Sequence, residues 1–570
     1  MGCGDAPFIH GCDAMRVVAK TAFYALVIAV WLPVSALAGN GIAMGLAPVN
    51  DWSTQQPFLD VMKTARRWIG HRPNQWGGMD FAALEAAGVL DENGWPTVIP
   101  DDLGSIGTVL LTDLPTEASL FSGRYRLRFD GEGIVEVGGR ATNVRYGRRE
   151  VLFDFTPGPG PVEIRIQRTD RQDYVRNITI VKLDHVATFD AGAVFHPTWL
   201  AYLDGLRAVR FMDWMNTNNS DQRVWKDRAK VGDFSYSWRG VPVEVMVMLA
   251  NKAGADPWFN MPHLANDTYS KNFAKLVNET LSADQNVYVE YSNEVWNWQF
   301  DQAEWADAKA KVRWSEKHRG AQYYGMRAAQ VADIWSSVFV NDRTRLINVV
   351  ATQTGWLGLE TDILNAPNWV GENPENNRPP HEAFDAYAVT GYFGHYLGTA
   401  EYAPVVLEWL DESRDVARSA GQEAGLSGVE LKEHTDLHQF DLAFKYAFTE
   451  LGQSETGDTV ADLSRRIFPY HKKVADQYGL KLIMYEGGSH VVGIGNQMND
   501  PDLAEFFVAL NYTNEMGALY DDVLTGWADA GGGLFNAYSD VQAPGKWGSW
   551  GALRFLGDDN PRWTALGRRK

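Results

Sequence analysis

The chain has 570 residues, 45% of them hydrophobic and 22% charged, a balance that fits a globular protein too long for one ordinary domain. Its formal net charge is −20. That acidity argues against nucleic acid, whose phosphates demand Lys and Arg, and against an anionic membrane surface.

The N-terminal stretch reads as a signal peptide over residues 1–38 with its true start at Met15. Arg16 and Lys20 precede an apolar run over 22–33, and Ala36-Leu37-Ala38 is a small-x-small cleavage site. The run is short for a span of about 20 residues, so no stable membrane insertion is expected after cleavage. The expected location is secreted or periplasmic. Cys3 and Cys12 both lie before Met15, so the mature chain has no thiol for a disulfide or a metal.

Residues 39–95 read as the first part of a barrel, with a strand over 41–49 and a helix over 57–69. Residues 96–186 change rhythm. Tyr125-Arg126-Leu127-Arg128-Phe129, Val151-Leu152-Phe153-Asp154-Phe155 and Val162-Glu163-Ile164-Arg165-Ile166 alternate, and turns such as Asp130-Gly131 separate such runs. Short alternating strands at this spacing indicate an inserted β-sandwich. Residues 187–570 then alternate helix and strand. Helices are expected over 243–253, 269–281, 321–339 and 460–474, and strands over 257–261, 287–291, 346–351, 480–485 and 533–537. The acidic segment 400–458 reads as an elaboration before the seventh strand. Repeated β-α units imply a parallel sheet, and about eight strands imply closure. The expected fold class is α/β, a (β/α)8 TIM barrel with an inserted β-sandwich module, its active site at the C-terminal ends of the strands.

Retaining glycoside cleavage needs two carboxyl groups flanking one bond, one to assist the leaving oxygen and one to attack the anomeric carbon. Two places offer them at strand ends. Val287-Tyr288-Val289-Glu290-Tyr291-Ser292-Asn293-Glu294 puts Glu294 just past an apolar strand, and Leu482-Ile483-Met484-Tyr485-Glu486-Gly487-Gly488 does the same for Glu486. The glycines after Glu486 permit close approach of a ligand. Glu290 lies inside its strand and reads as a paired core residue.

The chain resembles glycoside hydrolase clan A, the barrels with Asn-Glu at strand four and Glu at strand seven. The match rests on Asn293-Glu294 within "YSNEVWN" and Glu486 within "MYEGG". Family 5 of that clan usually has Asn-Glu-Pro where this chain has Asn293-Glu294-Val295, so the resemblance is to the clan and not to one family. It implies Glu294 as acid/base and Glu486 as nucleophile. It implies that Asn293 holds the sugar 2-hydroxyl, that Arg210 in "AVRFMDW" bonds the nucleophile, and that His263 in "WFNMPH" follows strand three. It also implies Tyr392 in "VTGYFGHY" as a second partner of the nucleophile, and Trp547 or Trp550 in "KWGSWG" beneath the bound sugar. Trp214, Trp258, Trp296, Trp298 and Trp356 are further candidates for stacking on sugar rings, or for the core.

The function expected is a secreted retaining glycosidase acting on a β-linked polysaccharide or oligosaccharide by double displacement, with no cofactor and no metal. His434 and His438 are spaced like a metal pair but lack the His-Glu-x-x-His context. The alternative is a catalytically silent carbohydrate-binding protein, or a scaffold of polysaccharide assembly.

Overall fold

The structure is a computed structural model that describes residues 41–455 and 457–570. The signal peptide expected over 1–38, with its start at Met15 and both cysteines, lies outside the described residues. Among the described residues no helix is long and apolar enough to cross a membrane.

Eight parallel strands close into a barrel in chain order: β1 (Ile42–Gly45), β2 (Ala208–Arg210), β3 (Asp256–Met261), β4 (Val287–Tyr291), β5 (Leu346–Ala351), β6 (Ala386–Phe393), β7 (Lys481–Ser489) and β8 (Phe535–Tyr538). β8 returns to pair with β1 through Ile42–Phe535 and its successors. The chain is therefore an α/β protein of the (β/α)8 barrel class. Side chains alternate faces along each strand. One set joins the core beneath the surrounding helices, including Val209, Phe259 and Val289. The other forms a separate buried cluster of Ala43, Ala208, Trp258, Tyr288, Ala386, Ala388, Ile483 and Tyr485. Its alanines on β1, β2 and β6 leave room for the large rings of β3, β4 and β7, and together they fill the lumen.

Two antiparallel sheets occupy the chain between β1 and β2. One runs Arg176–Lys182, Gly123–Asp130, Glu150–Phe155, Thr142–Gly147, and the other Gly78–Met79, Ile69–His71, Ser105–Leu110, Val162–Thr169, Gly133–Gly139. Their inward residues, among them Tyr125, Leu127, Phe153, Ile164 and Ile166, belong to the same core cluster as the outer face of the barrel strands.

The sheets begin earlier than residue 96, because Ile69–His71 and Gly78–Met79 are strands of the second one. The helix expected over 57–69 is correspondingly absent. Only Val61–Thr64 forms a turn of 3-10 helix. The apolar residues there, Phe58, Leu59, Val61, Met62, Ala65 and Trp68, are all buried, so the run has no solvent face to give a helical stripe. The Asp60 carboxylate oxygen Oδ1 accepts from Met62 N–H at 3.1 Å and from Ile180 N–H at 2.7 Å, which fixes a non-helical path onto the sandwich. Between β6 and β7 the acidic elaboration folds as three helices, Ala403–Glu423, Gly428–His438 and Asp441–Gln453.

Closure depends on Asp540, just past β8. Its Oδ1 accepts from Ala47 N–H at 2.7 Å and its Oδ2 from Trp199 Nε1–H at 2.8 Å, all buried. Replacing Asp540 by Ala orphans two buried donors, each worth about 1–3 kcal/mol. Urea denaturation of D540A is expected to show a loss of that order with an unchanged m-value. An unchanged midpoint would contradict the clamp.

Candidate active site

The site is built upward from the lumen. Arg210 ends β2 on the lumen side of the alternation that Ala208 begins, and its guanidinium lies 5.3 Å from the Trp258 ring and 5.4 Å from the Tyr485 ring. It is 1% exposed. Its Nη1 donates to Glu486 Oε1 at 2.6 Å, and its Nη2 donates to Glu290 Oε2 and Asn293 Oδ1, both at 3.0 Å. Burial alone would favour the neutral guanidine, but the two carboxylates outweigh it and hold Arg210 protonated. Glu290 also accepts from Trp258 Nε1–H at 3.0 Å and Asn260 Nδ2–H at 2.9 Å. It is the paired core residue its position inside β4 suggests.

Strict alternation would send Tyr485 and Glu486 to opposite faces. β7 instead carries an extra residue here: Val389 pairs with Met484, whereas the next residue of β6, Thr390, pairs with Glu486. The same slip recurs against β8, between Met484–Phe535 and Gly487–Ala537. A bulge re-aims side chains in this way. Glu486 accepts from Arg210 on one oxygen, and its Oε2 accepts from Tyr392 O–H at 3.0 Å. Burial pushes its carboxyl up, to about 8, against the pull of Arg210, and the Glu294 and Asp213 carboxyls add to the rise. The glycines after it serve packing as well as access. A Cβ on Gly487 would meet Met484 Sδ at 2.5 Å and Phe535 at 2.9 Å, and Gly488 has φ 138°.

Glu294 lies in the turn leaving β4, where Ser292 (φ 60°) and Glu294 (φ 43°) are both left-handed. Non-glycine residues in that region cost about 1–3 kcal/mol each and gather at functional sites. Glu294 Oε1 accepts from Tyr485 O–H and Oε2 from Asn297 Nδ2–H, both at 2.9 Å. Gln302 steadies the turn by donating to Asn293 O and Asn218 Oδ1, each at 2.8 Å. The Tyr392 and Tyr485 hydroxyls are pushed well above the usual phenol range by burial and then by the carboxylates, so they stay protonated as donors.

Arg210, Tyr392, Asn293, Glu294 and Glu486 thus share one hydrogen-bonded region, and Trp296 packs 6.4 Å from Tyr485. The Asn293 amide is largely engaged, its oxygen by Arg210 and its nitrogen by Asn218. His263 makes no contact with the carboxylates. Its ring meets Trp305, its carbonyl accepts from Tyr291 O–H, and burial lowers its pKa to about 4. Trp547 is 66% exposed and sits over Lys546, while Trp550 packs against Tyr392 and Tyr538. Of the two tryptophans in "KWGSWG", Trp550 therefore adjoins the region. Among the described residues no three His, Cys, Asp or Glu converge to hold a metal ion.

Sequence reasoning missed Asn260, Asn218, Asn297, Asp213 and Tyr538. Tyr538 O–H donates to Asp213 Oδ2 at 2.9 Å, and burial pushes Asp213 up to about 6. The run Asp213-Trp214-Met215-Asn216-Thr217-Asn218-Asn219 after β2, dense in polar side chains, was the available signal.

No family model matches the sequence. No curated protein matches it. Comparison with solved structures finds likenesses at low identity. A structure of fungal β-1,4-galactanases is 11% identical with TM-score 0.32, covering 66% of this chain and 91% of that one. A double mutant of the β-glucosidase from Trichoderma harzianum is 12% identical with TM-score 0.34, covering 65% and 86%. A GH5-4 broad-specificity endoglucanase from an uncultured bacterium is 12% identical with TM-score 0.29, covering 65% and 82%.

Removing Glu290 leaves Arg210 half-neutralised and three donors unpaired. Breaking a buried pair in this way costs about 3–5 kcal/mol. Chemical denaturation of E290A is expected to show that loss, and E290Q a smaller one. A loss below 1 kcal/mol in E290A would mean that Glu290 does not hold the network.

Proposed function

We propose that this protein is a retaining glycoside hydrolase acting on a β-linked polysaccharide or oligosaccharide. The observation that supports this most is the pair of carboxyls leaving β4 and β7 in one hydrogen-bonded region, each held by different partners. Glu294 takes two neutral donors, whereas Glu486 is bonded to a cation and a phenol. Two carboxyls in contrasting environments suit the division into acid and nucleophile.

Glu294 donates its proton to the leaving glycosidic oxygen as that C–O bond breaks. Glu486 attacks the anomeric carbon and forms a glycosyl ester, its charge steadied by Arg210 and Tyr392. Water then attacks the same carbon while Glu294 takes its proton, and the Glu486 carboxylate leaves. The resemblance to clan A motifs supports the β-linkage. The basic, apolar and small-x-small pattern over residues 15–38 supports export to the periplasm or medium.

Glu486→Gln is expected to abolish hydrolysis, because an amide cannot attack the anomeric carbon. Glu294→Ala should slow poor leaving groups by about 10²–10⁴-fold and activated aryl groups far less, with azide partly restoring turnover. Equal losses on both substrate types would remove Glu294 as the acid.

The pH profile follows from the burial of Glu486. Attack needs its ionised form, so kcat/KM should fall as pH drops through its pKa. Because burial raises that pKa, the acid limb should lie well above the ordinary carboxylate value of 4.5. A limb at or below 4.5 would contradict the assignment.

A further inference from the structure

Around the barrel mouth β4 and β8 stand opposite each other, and β1 and β2 follow β8. Glu294 leaves β4. Asp213 leaves β2 and is tied to Tyr538 at the end of β8. Glu486, on β7, lies between them on the arc that runs from β4 through β8 to β2. A sugar chain with its scissile oxygen at Glu294 and its anomeric carbon at Glu486 therefore continues, on the non-reducing side, toward Asp213.

A cavity of about 340 Å³ opens there, lined among others by Asp213, Asn218, Asn219, Asp221, Arg67 and Trp238. Its size falls in the range of about 300–1,000 Å³ for small-ligand sites. Asn218 is the residue that accepts from Asn293, so the cavity adjoins the carboxylate region directly. Asp213 Oδ2 is bonded to Tyr538, while Oδ1 has no hydrogen-bond partner among the described residues. The Arg67 guanidinium donates only to the Trp238 carbonyl, at 3.2 Å, lies over the Phe81 ring, and pairs with no carboxylate among the described residues.

The geometry points to this cavity as the site for the sugar unit on the non-reducing side of the one attacked, with Asp213 accepting from its hydroxyls and Arg67 at its outer wall. A carboxylate oxygen beside side-chain amides is the chemistry that grips vicinal hydroxyls. Asp213 and Asp221 together disfavour an acidic sugar, so the unit is a neutral one. Arg67 directly precedes the strand Ile69–His71 region of the second sheet, so the inserted sheets help to shape this end of the substrate. The inference rests on the glycosidase reading above.

The test uses 4-nitrophenyl β-glycosides carrying one, two and three sugar units, in the gluco, galacto, manno and xylo series. The wild type should prefer two units over one by about tenfold or more in kcat/KM. Asp213→Asn, which is isosteric and can still accept from Tyr538, should bring that ratio close to one through a higher KM on the longer substrate. Arg67→Ala, at an exposed position, should lower the ratio in the same direction. A wild-type ratio near one, or a ratio unchanged in both variants while hydrolysis persists, overturns the cavity assignment and leaves the glycosidase reading standing. No hydrolysis of any series or of the parent β-glucan, galactan, mannan and xylan by the wild type removes the glycosidase reading and this inference with it.

Discussion

A single buried cation organises this molecule. Arg210 sits at the top of the lumen with two carboxylates, Glu290 and Glu486, on its donors. Taking these three charges out of water is costly, and the arrangement persists only because nearly every polar atom is answered. Asn260 and Trp258 from β3 complete Glu290, Tyr392 from β6 completes Glu486, and Asn293 takes the remaining reach of Arg210. Five of the eight strands, or the turns leaving them, therefore converge on one guanidinium. One cation between two carboxylates leaves an excess of negative charge, which is why burial drives both glutamates upward.

The same constraint separates the two candidate catalytic groups. Glu486 is placed inside this charge network by a bulge in β7, and so answers to Arg210. Glu294 lies outside it, on a turn with two left-handed residues, and meets only a phenol and an amide. Tyr485 links the two, since its ring lies beneath Arg210 while its hydroxyl reaches Glu294. Movement of β7 would disturb both carboxyls together.

Much of the barrel was legible in the sequence because its elements are strongly patterned. The strands over 287–291 and 346–351 and the helix over 243–253 fall where apolar runs and their borders place them. Glu294 and Glu486 stood out as carboxyls at the ends of apolar strands. What escaped depends on the fold rather than on local pattern. The segment 57–69 is buried on every side, so its apolar spacing was mistaken for a helix. The bulge at Tyr485 leaves no mark in a run that alternation would read differently. Asp213 and Tyr538 are 325 residues apart and meet only because β8 closes on β1. His263 matched a motif position, yet its ring packs on Trp305. Trp550 displaced Trp547 because the turn after β8 folds back onto Tyr392.

The account stands or falls on a covalent bond to Glu486. Incubation with a 2-deoxy-2-fluoro glycoside bearing a good leaving group, followed by intact mass and peptide mapping, tests this directly, once the accepted sugar is known. The account predicts a mass increase of one fluoroglycosyl unit, located on the peptide that contains Glu486. An adduct on any other residue, or no adduct together with a first product of inverted anomeric configuration, would contradict it.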